Sequence, residues 1–323
     1  LPDPTPLKDV NQQVELMQSW SVPVGEGSFE SSSVMQPAIS ENAIFAAAGQ
    51  QLGSYTLDAG LANWQINLAD QVTAGVGQID QQLFVVTQSG KLVAVSSVDG
   101  SVLWQVNTSS EALAAPQANS DIVVVQTVDG KVSAYSIGDG KFQWSYAANL
   151  PSLTLRGTST PVVNERYTYA GFASGKLVAL DNQTGHVVWQ KSIGAAQGRS
   201  EIERLADVDG VLILRNDLLY VTSYQGSIAA LDALTGSIRW QQPVSSASGV
   251  ALVGDAVVVV DAQDIVFAYD RERGHVLWKN DALQHRLLAA PVGLQDQALV
   301  IDAQGYGHVL QISDGEFLGR NKM

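Results

Sequence analysis

Short apolar runs recur down this chain, each bounded by a glycine-bearing turn, and the unit repeats about every 40 residues. One copy is Val93-Ala94-Val95-Ser96-Ser97-Val98-Asp99-Gly100-Ser101-Val102-Leu103-Trp104. Val178 to Trp189, Ala229 to Trp240 and Phe267 to Trp278 are others. Two alternating runs joined by such a turn predict a β-hairpin. Upstream of the hairpins lie β-branched or aliphatic runs, as in Ile122–Val125, Val257–Val260 and Leu299–Ile301. A second turn follows these runs at Ser89-Gly90, Asp129-Gly130, Ser174-Gly175 and Gln225-Gly226, and a proline often precedes them (Pro37, Pro116, Pro161, Pro291). Each period therefore holds four short strands. Four-stranded units repeated at this spacing predict the blades of a β-propeller.

Tryptophan marks the outer strand of the unit. Trp20, Trp64, Trp104, Trp144, Trp189, Trp240 and Trp278 are separated by 44, 40, 40, 45, 51 and 38 residues. All but Trp20 stand four residues after a glycine (Gly60, Gly100, Gly140, Gly185, Gly236, Gly274). Gly315 is a seventh such glycine, with Gly319 where its tryptophan belongs. A small residue lies six before each tryptophan-linked glycine: Ser54, Ala94, Ala134, Ala179, Ala230 and Ala268. A small side chain on the adjacent strand leaves room for an indole wedged between stacked blades. Trp20 has no hairpin of its own before it, while residues 316–323 already supply the outer strand of the seventh repeat. The count therefore predicts an all-β, eight-bladed propeller of four-stranded antiparallel blades. The closing blade is incomplete, and Glu15–Val24 is its outer strand. The competing count is a seven-bladed ring in which Trp20 fills the Gly319 position.

Composition adjusts this picture at its edges. Residues 1–14 are polar and proline-bearing, and read as a flexible tether ahead of a single propeller domain, residues 15–323. No signal peptide stands at the start, as in a processed or trimmed chain. The net charge of −14 argues against nucleic acid or an anionic membrane surface as partner. No apolar run is long enough to span a bilayer. Cysteine is absent, so disulfide and thiol chemistry are excluded.

Catalytic signals are sparse. Among the histidines, His186 and His275 share one hairpin position and read as surface turn residues, and His285 and His308 form no cluster with cysteine. No zinc-protease or nucleophile-elbow motif occurs. Asp261-Ala262-Gln263-Asp264 lacks the glycine and terminal glutamate of a calcium loop. The expectation is a non-enzyme without metal or cofactor.

The irregular periods carry more information. The two long ones hold extra residues in corresponding places, after the tryptophan strand and before the next blade. The first surrounds Pro151-Ser152-Leu153-Thr154-Leu155-Arg156-Gly157, and the second runs through Ser200 to Asp209. Connections of this kind emerge on one face of a propeller, so the two insertions are expected side by side on successive blades, on a binding face. Ser200 and Glu203 form a capping box that predicts a short helical start. Leu153 and Leu155 point the same way in an extended segment. Arg156 offers a donor fork suited to a carboxylate. Asp207 and Asp209 suit a basic partner. These five residues are the candidate partner-binding site, with the alternative that the leucines pack under a long loop and the charges are solvated.

Three segments, 151–157, 200–209 and Leu283-Gln284-His285-Arg286-Leu287-Leu288-Ala289-Ala290-Pro291, carry a specific likeness. Through them the chain resembles the BamB family of propeller lipoproteins of the outer-membrane β-barrel assembly machinery, from about Trp20 to Met323. The resemblance implies a non-enzymatic scaffold at the periplasmic face of the outer membrane. It would bind the POTRA domains of BamA and help nascent outer-membrane proteins reach the membrane. It also implies a lipid anchor on a cysteine, which here would lie upstream of Leu1, and it links the positions of Leu153, Leu155, Arg156, Asp207 and Asp209 to the BamA contact. The tryptophan hairpins are similar, less specifically, to those of quinoprotein dehydrogenases. A quinone-cofactor dehydrogenase and a generic adaptor propeller are therefore the alternatives.

Overall fold

The computed structural model describes residues 2–25, 35–149, 159–193, 208, 210–246 and 248–323. Its regular structure among these residues is strand throughout. Seven four-stranded antiparallel sheets form, each with its strands in sequence order: residues 38–67, 72–107, 117–147, 162–192, 213–243, 250–280 and 292–322. This is the β-propeller blade expected from the repeat. The chain divides into two compact units, Ser19–Gln190 and Leu1–Gln18 with Lys191–Met323.

Within each unit the core lies between neighbouring sheets. In the first, Phe84, Val86, Leu92 and Ala94 of the second sheet pack with Val123, Val125 and Tyr135 of the third. In the other, Val258, Val260 and Ala268 of the sixth sheet pack with Ala298, Val300 and Leu310 of the seventh. The middle strands are buried on both faces, which is why they read as continuous aliphatic runs and not as alternating ones.

The tryptophan wedge follows one geometry. Its ladder partner is the predicted small residue: Ser54 opposite Trp64, Ala94 opposite Trp104, Ala134 opposite Trp144, Ala230 opposite Trp240 and Ala268 opposite Trp278. A bulge follows each pair. The indole then lies over the turn glycine of the next blade. A Cβ on Gly100 would come within 2.8 Å of Trp64, and one on Gly185 within 2.8 Å of Trp144. These glycines also hold positive φ (Gly100 78°, Gly185 70°), so both contact and backbone demand glycine. Each indole N–H donates to a carbonyl in that same turn: Trp64 to Ser97 (3.0 Å), Trp104 to Ile137 (3.0 Å), Trp144 to Asn182 (2.6 Å), Trp240 to Arg271 (2.9 Å) and Trp278 to Ile312 (2.7 Å).

Trp20 obeys the same rule. It lies over Gly60 and donates to the Leu57 carbonyl at 2.8 Å. It thus occupies the outer position of a blade preceding the first full sheet, which supports the count of eight with seven complete sheets. Residues 15–24 form no strand, so the expected outer strand is present only in the placement of its tryptophan.

The seventh repeat differs for a physical reason. Where a tryptophan would project from Gly319, the backbone of the N-terminal segment crosses, and a Cβ there would run into the Val14 carbonyl. The N–H groups of Gln13 and Val14 both donate to the Leu318 carbonyl, at 2.7 and 2.9 Å. Leu16 N–H and the Gln12 amide both reach Asn321 Oδ1 at 2.9 Å. The stretch read as a tether is thus hydrogen-bonded to the last sheet at several points, because Gly319 leaves a trough for it.

Candidate functional site

All five sequence-predicted site residues, Leu153, Leu155, Arg156, Asp207 and Asp209, lie outside the described residues, as do Ser200 and Glu203 of the capping box. What the fold does define is how the two insertions leave and re-enter it. Both run from the last strand of one sheet to the first strand of the next, as predicted.

The first insertion follows strand Phe142–Ala147 and precedes Val162–Val163. Its return is pinned at Ser159, which is fully buried. The Ser159 hydroxyl accepts the Gly171 N–H at 3.0 Å and lies 3.1 Å from the Gly171 carbonyl. Gln126, on the neighbouring sheet, donates its amide to that same carbonyl at 2.7 Å. One buried knot therefore ties the end of the insertion to the third and fourth sheets.

The second insertion leaves after Val187–Ser192 and returns before Ile213–Arg215. Its departure is fixed by buried Ile193, whose carbonyl accepts the Ser227 hydroxyl (2.7 Å) and the Gln241 amide (3.1 Å). An open cleft of about 510 Å³ begins there, lined by Ile193, Gln225, Ser227 and Gln241. On the return, Val208 and Leu212 are buried, and Gly210 lies so close to Gly249 that a Cβ would meet its backbone. Anchored stems suit loops that must present side chains to a partner, since scaffold-held loops carry function.

A third connection of the same kind, from the sixth sheet to the seventh, is fully described. It contains the Leu283–Pro291 motif. Leu283 is buried. Arg286, only 4% exposed, points inward: Nε to Asp302 Oδ2 at 2.7 Å, one terminal nitrogen to Gln304 Oε1 at 2.6 Å, the other to the Thr5 carbonyl at 3.0 Å. Leu287 points outward, 62% exposed, with a φ of 55° that a leucine seldom adopts. The backbone is held there by Asp264, whose two carboxylate oxygens accept the N–H groups of Leu287 and Leu288, each at 2.8 Å.

Asp264 itself stands where the equivalent turns have glycine. Its N–H donates three residues back, to Asp261, as Gly130 does to Thr127 and Gly305 to Asp302. It keeps the positive φ of that position (64°) in order to supply the carboxylate. The segment that fails as a calcium loop is therefore a turn built to fasten the next connection. Among the described residues no group of three or more His, Cys, Asp or Glu side chains is placed to hold a metal ion.

Asp302 and His308 complete a buried cluster on the seventh sheet. His308, on strand Tyr306–Gln311, is fully buried, and Asp302 is 3% exposed. His308 Nε2 lies 3.1 Å from Asp302 Oδ2, and its Nδ1 lies 2.9 Å from Nε of Arg320 across the ladder. Burial lowers the His308 pKa, helped by the nearby Arg320 and Arg286 charges, and the Asp302 contact does not offset this. Burial alone would raise Asp302, but the Tyr306 N–H, Arg286 and His308 together hold it below the usual carboxylate range. His186 and His275 are exposed, as their turn positions predicted.

A family model described as outer membrane protein assembly factor BamB matches residues 48–280. The outer membrane protein assembly factor BamB of Pseudomonas aeruginosa is 44% identical over 321 residues, covering 99% of this chain and 84% of that protein. The protein of that name from Escherichia coli K12 is 34% identical over 330 residues, with the same two shares. Among solved structures, BamB from Moraxella catarrhalis superposes with a TM-score of 0.84 at 32% identity, over 89% of this chain and 87% of that one. Quinohemoprotein alcohol dehydrogenase from Comamonas testosteroni reaches a TM-score of 0.71 at 12% identity, a likeness of fold alone.

Proposed function

Since the chain belongs to the family of outer membrane protein assembly factors BamB, we propose that it is a non-enzymatic scaffold of the outer-membrane β-barrel assembly machinery. It acts at the periplasmic face of the outer membrane, held there by a lipid on a cysteine preceding Leu1. It docks on the POTRA domains of BamA through the two insertions, and so assists the folding and insertion of outer-membrane proteins. In this reading Leu153 and Leu155 supply buried apolar area, while Arg156, Asp207 and Asp209 orient the partner.

The observation that carries the docking assignment is the anchoring of both insertions. Each is lengthened beyond the repeat, yet its stem is fixed by buried hydrogen bonds at Ser159 and at Ile193. Such stems hold each lengthened loop on the rigid scaffold, the setting in which binding loops are found. The test is capture of purified BamA POTRA domains on the immobilised protein at moderate ionic strength. Capture of the POTRA domains by the unmodified protein is expected. No capture, with the protein shown to be folded, contradicts the assignment.

A further inference from the structure

The N-terminal segment is held on the seventh sheet by two arginines, and one of them rests on a histidine. Arg320 donates one terminal nitrogen to the Lys8 carbonyl at 2.6 Å, and its backbone N–H reaches Gln12 Oε1 at 3.2 Å. Its Nε faces His308 Nδ1 at 2.9 Å. Guanidinium can only donate, so Nδ1 must carry the lone pair and the ring proton must sit on Nε2, facing Asp302. The contact network therefore selects one neutral tautomer of His308.

A second proton has no place in this arrangement. It would sit on Nδ1 and point at an N–H of Arg320, cation against cation. The charged groups around the ring are Arg320 on the next strand, Arg286 from the preceding connection and Asp302 from the turn. Tyr306 lies on its own strand, and Asp9 on the N-terminal segment, near Arg320. Asp302 cannot absorb the added charge unaided, because its Oδ2 already takes Arg286 Nε at 2.7 Å.

We propose that His308 is a proton-operated latch on the N-terminal segment: neutral, it seats the arginine side chain that grips the Lys8 carbonyl, and protonated, it expels that side chain and frees the stretch around Lys8. The freed stretch is bounded. Thr5 stays bound through Arg286 and through its own N–H to the Gln284 carbonyl, and Gln13 and Val14 stay on Leu318. Residues 6–11 would lift as a loop, Leu7 leaving the edge of the core, while Gln12 stays on Asn321 and on the Arg320 backbone N–H. If the Thr5 contacts followed, the freed stretch could extend to at most roughly 20–25 Å at the extended rise per residue. The distance between the sheets and whatever precedes the segment would then depend on pH. The lowered pKa of His308 places release on the acid side of the ordinary histidine value.

The experiment exploits the absence of cysteine. An Asn11→Cys variant carries a single nitroxide on an exposed residue outside the hydrogen bonds of the network. Its mobility is followed from about pH 8 to about pH 5, with imidazole nitrogen shifts giving the state of His308 and far-UV circular dichroism reporting the sheets. The expected result is an immobile label at high pH, a released fraction that climbs about tenfold per pH unit until it saturates, and an unchanged β spectrum. The transition should coincide with the His308 titration. In His308→Gln, whose amide can accept from Arg320 and donate to Asp302 without titrating, the label should stay immobile throughout. In Arg320→Gln it should be mobile at every pH. The latch is overturned by a label indifferent to His308 titration, by a His308 that stays neutral to about pH 5, by a proton found on Nδ1 at high pH, or by the same step persisting in His308→Gln.

Discussion

The third and seventh sheets are built from the same repeat, and they differ at one outer position. In the third, Trp144 faces Ala134, lies over Gly185 and bonds to the Asn182 carbonyl. In the seventh, Gly319 faces Val309 and the N-terminal backbone runs through the vacated space. Where the repeat is obeyed, a residue serves only the scaffold. Where it is broken, the broken position receives another part of the chain. Asp264 in a glycine position is a departure of the same kind, adding a contact that the regular blade does not make, and the proposed docking role would make the two lengthened periods further cases.

The largest effect expected from this contrast is at the regular positions. Trp144→Ala should cost about 3–5 kcal/mol of unfolding free energy, because a buried ring between blades leaves a cavity. Trp20 makes the same hydrogen bond but is only half-buried and stands on no ladder, so Trp20→Ala should cost clearly less. Denaturant midpoints for the two variants check this, and equal losses would show that Trp20 belongs to a complete blade.

At the irregular position the sign of the argument reverses. Gly319→Ala adds one carbon and should cost about 1–3 kcal/mol, through collision with the Val14 carbonyl. It should also raise the mobility of a label at position 11. A neutral substitution with the label still immobile would mean that the segment is not seated in that trough.

Asp264 separates backbone need from side-chain need. Asp264→Ala removes the acceptor of two N–H groups and keeps a side chain at positive φ, for a cost of about 1–2 kcal/mol. Asp264→Gly loses the same acceptor but relieves the φ, so it should cost less than alanine. Thermal unfolding of both variants gives the order; a reversed order would remove the positive φ from the account, and parent-like stability in both would remove the carboxylate.

The smallest effect is a pH dependence. Folding favours neutral His308, whose pKa lies below its ordinary value of 6.5. The stability it contributes is complete above 6.5 and declines as pH falls through the lowered folded value. Asp302, also lowered, keeps its contribution until far more acid conditions. The melting temperature of the protein should therefore fall more steeply below about pH 6.5 than that of His308→Gln, and parallel curves would contradict it.

Much of this was legible because the repeat fixes spacing. The Gly-x-x-x-Trp series, the small residue six before the glycine and the unpaired Trp20 give the blades and their count directly. Gly319 was visible as a gap, but its cause was not, since the backbone that fills it comes from the other end of the sequence. His308 looked like an isolated histidine for the same reason: its partners stand at 286, 302 and 320. Asp264 was hidden differently. It aligns with Gly130 and Gly305, yet its purpose lies in the next connection. The insertions were legible as long periods, and their stems at Ser159 and Ile193 only in three dimensions, where a buried hydroxyl and a carbonyl meet partners on other strands.

The claim that departures from the repeat are places of contact is tested most directly at the insertions. Isothermal titration of BamA POTRA domains into the protein should show Leu155→Ala and Arg156→Ala each weakening binding by about tenfold or more, as for residues central to an interface. Their melting temperatures should match that of the parent. Arg156 and Asp209 changed together give the coupling between them, and coupling seen in binding but absent from stability marks a contact with the partner. Full affinity in both single variants, with the fold intact, would contradict the account and return the two insertions to the scaffold.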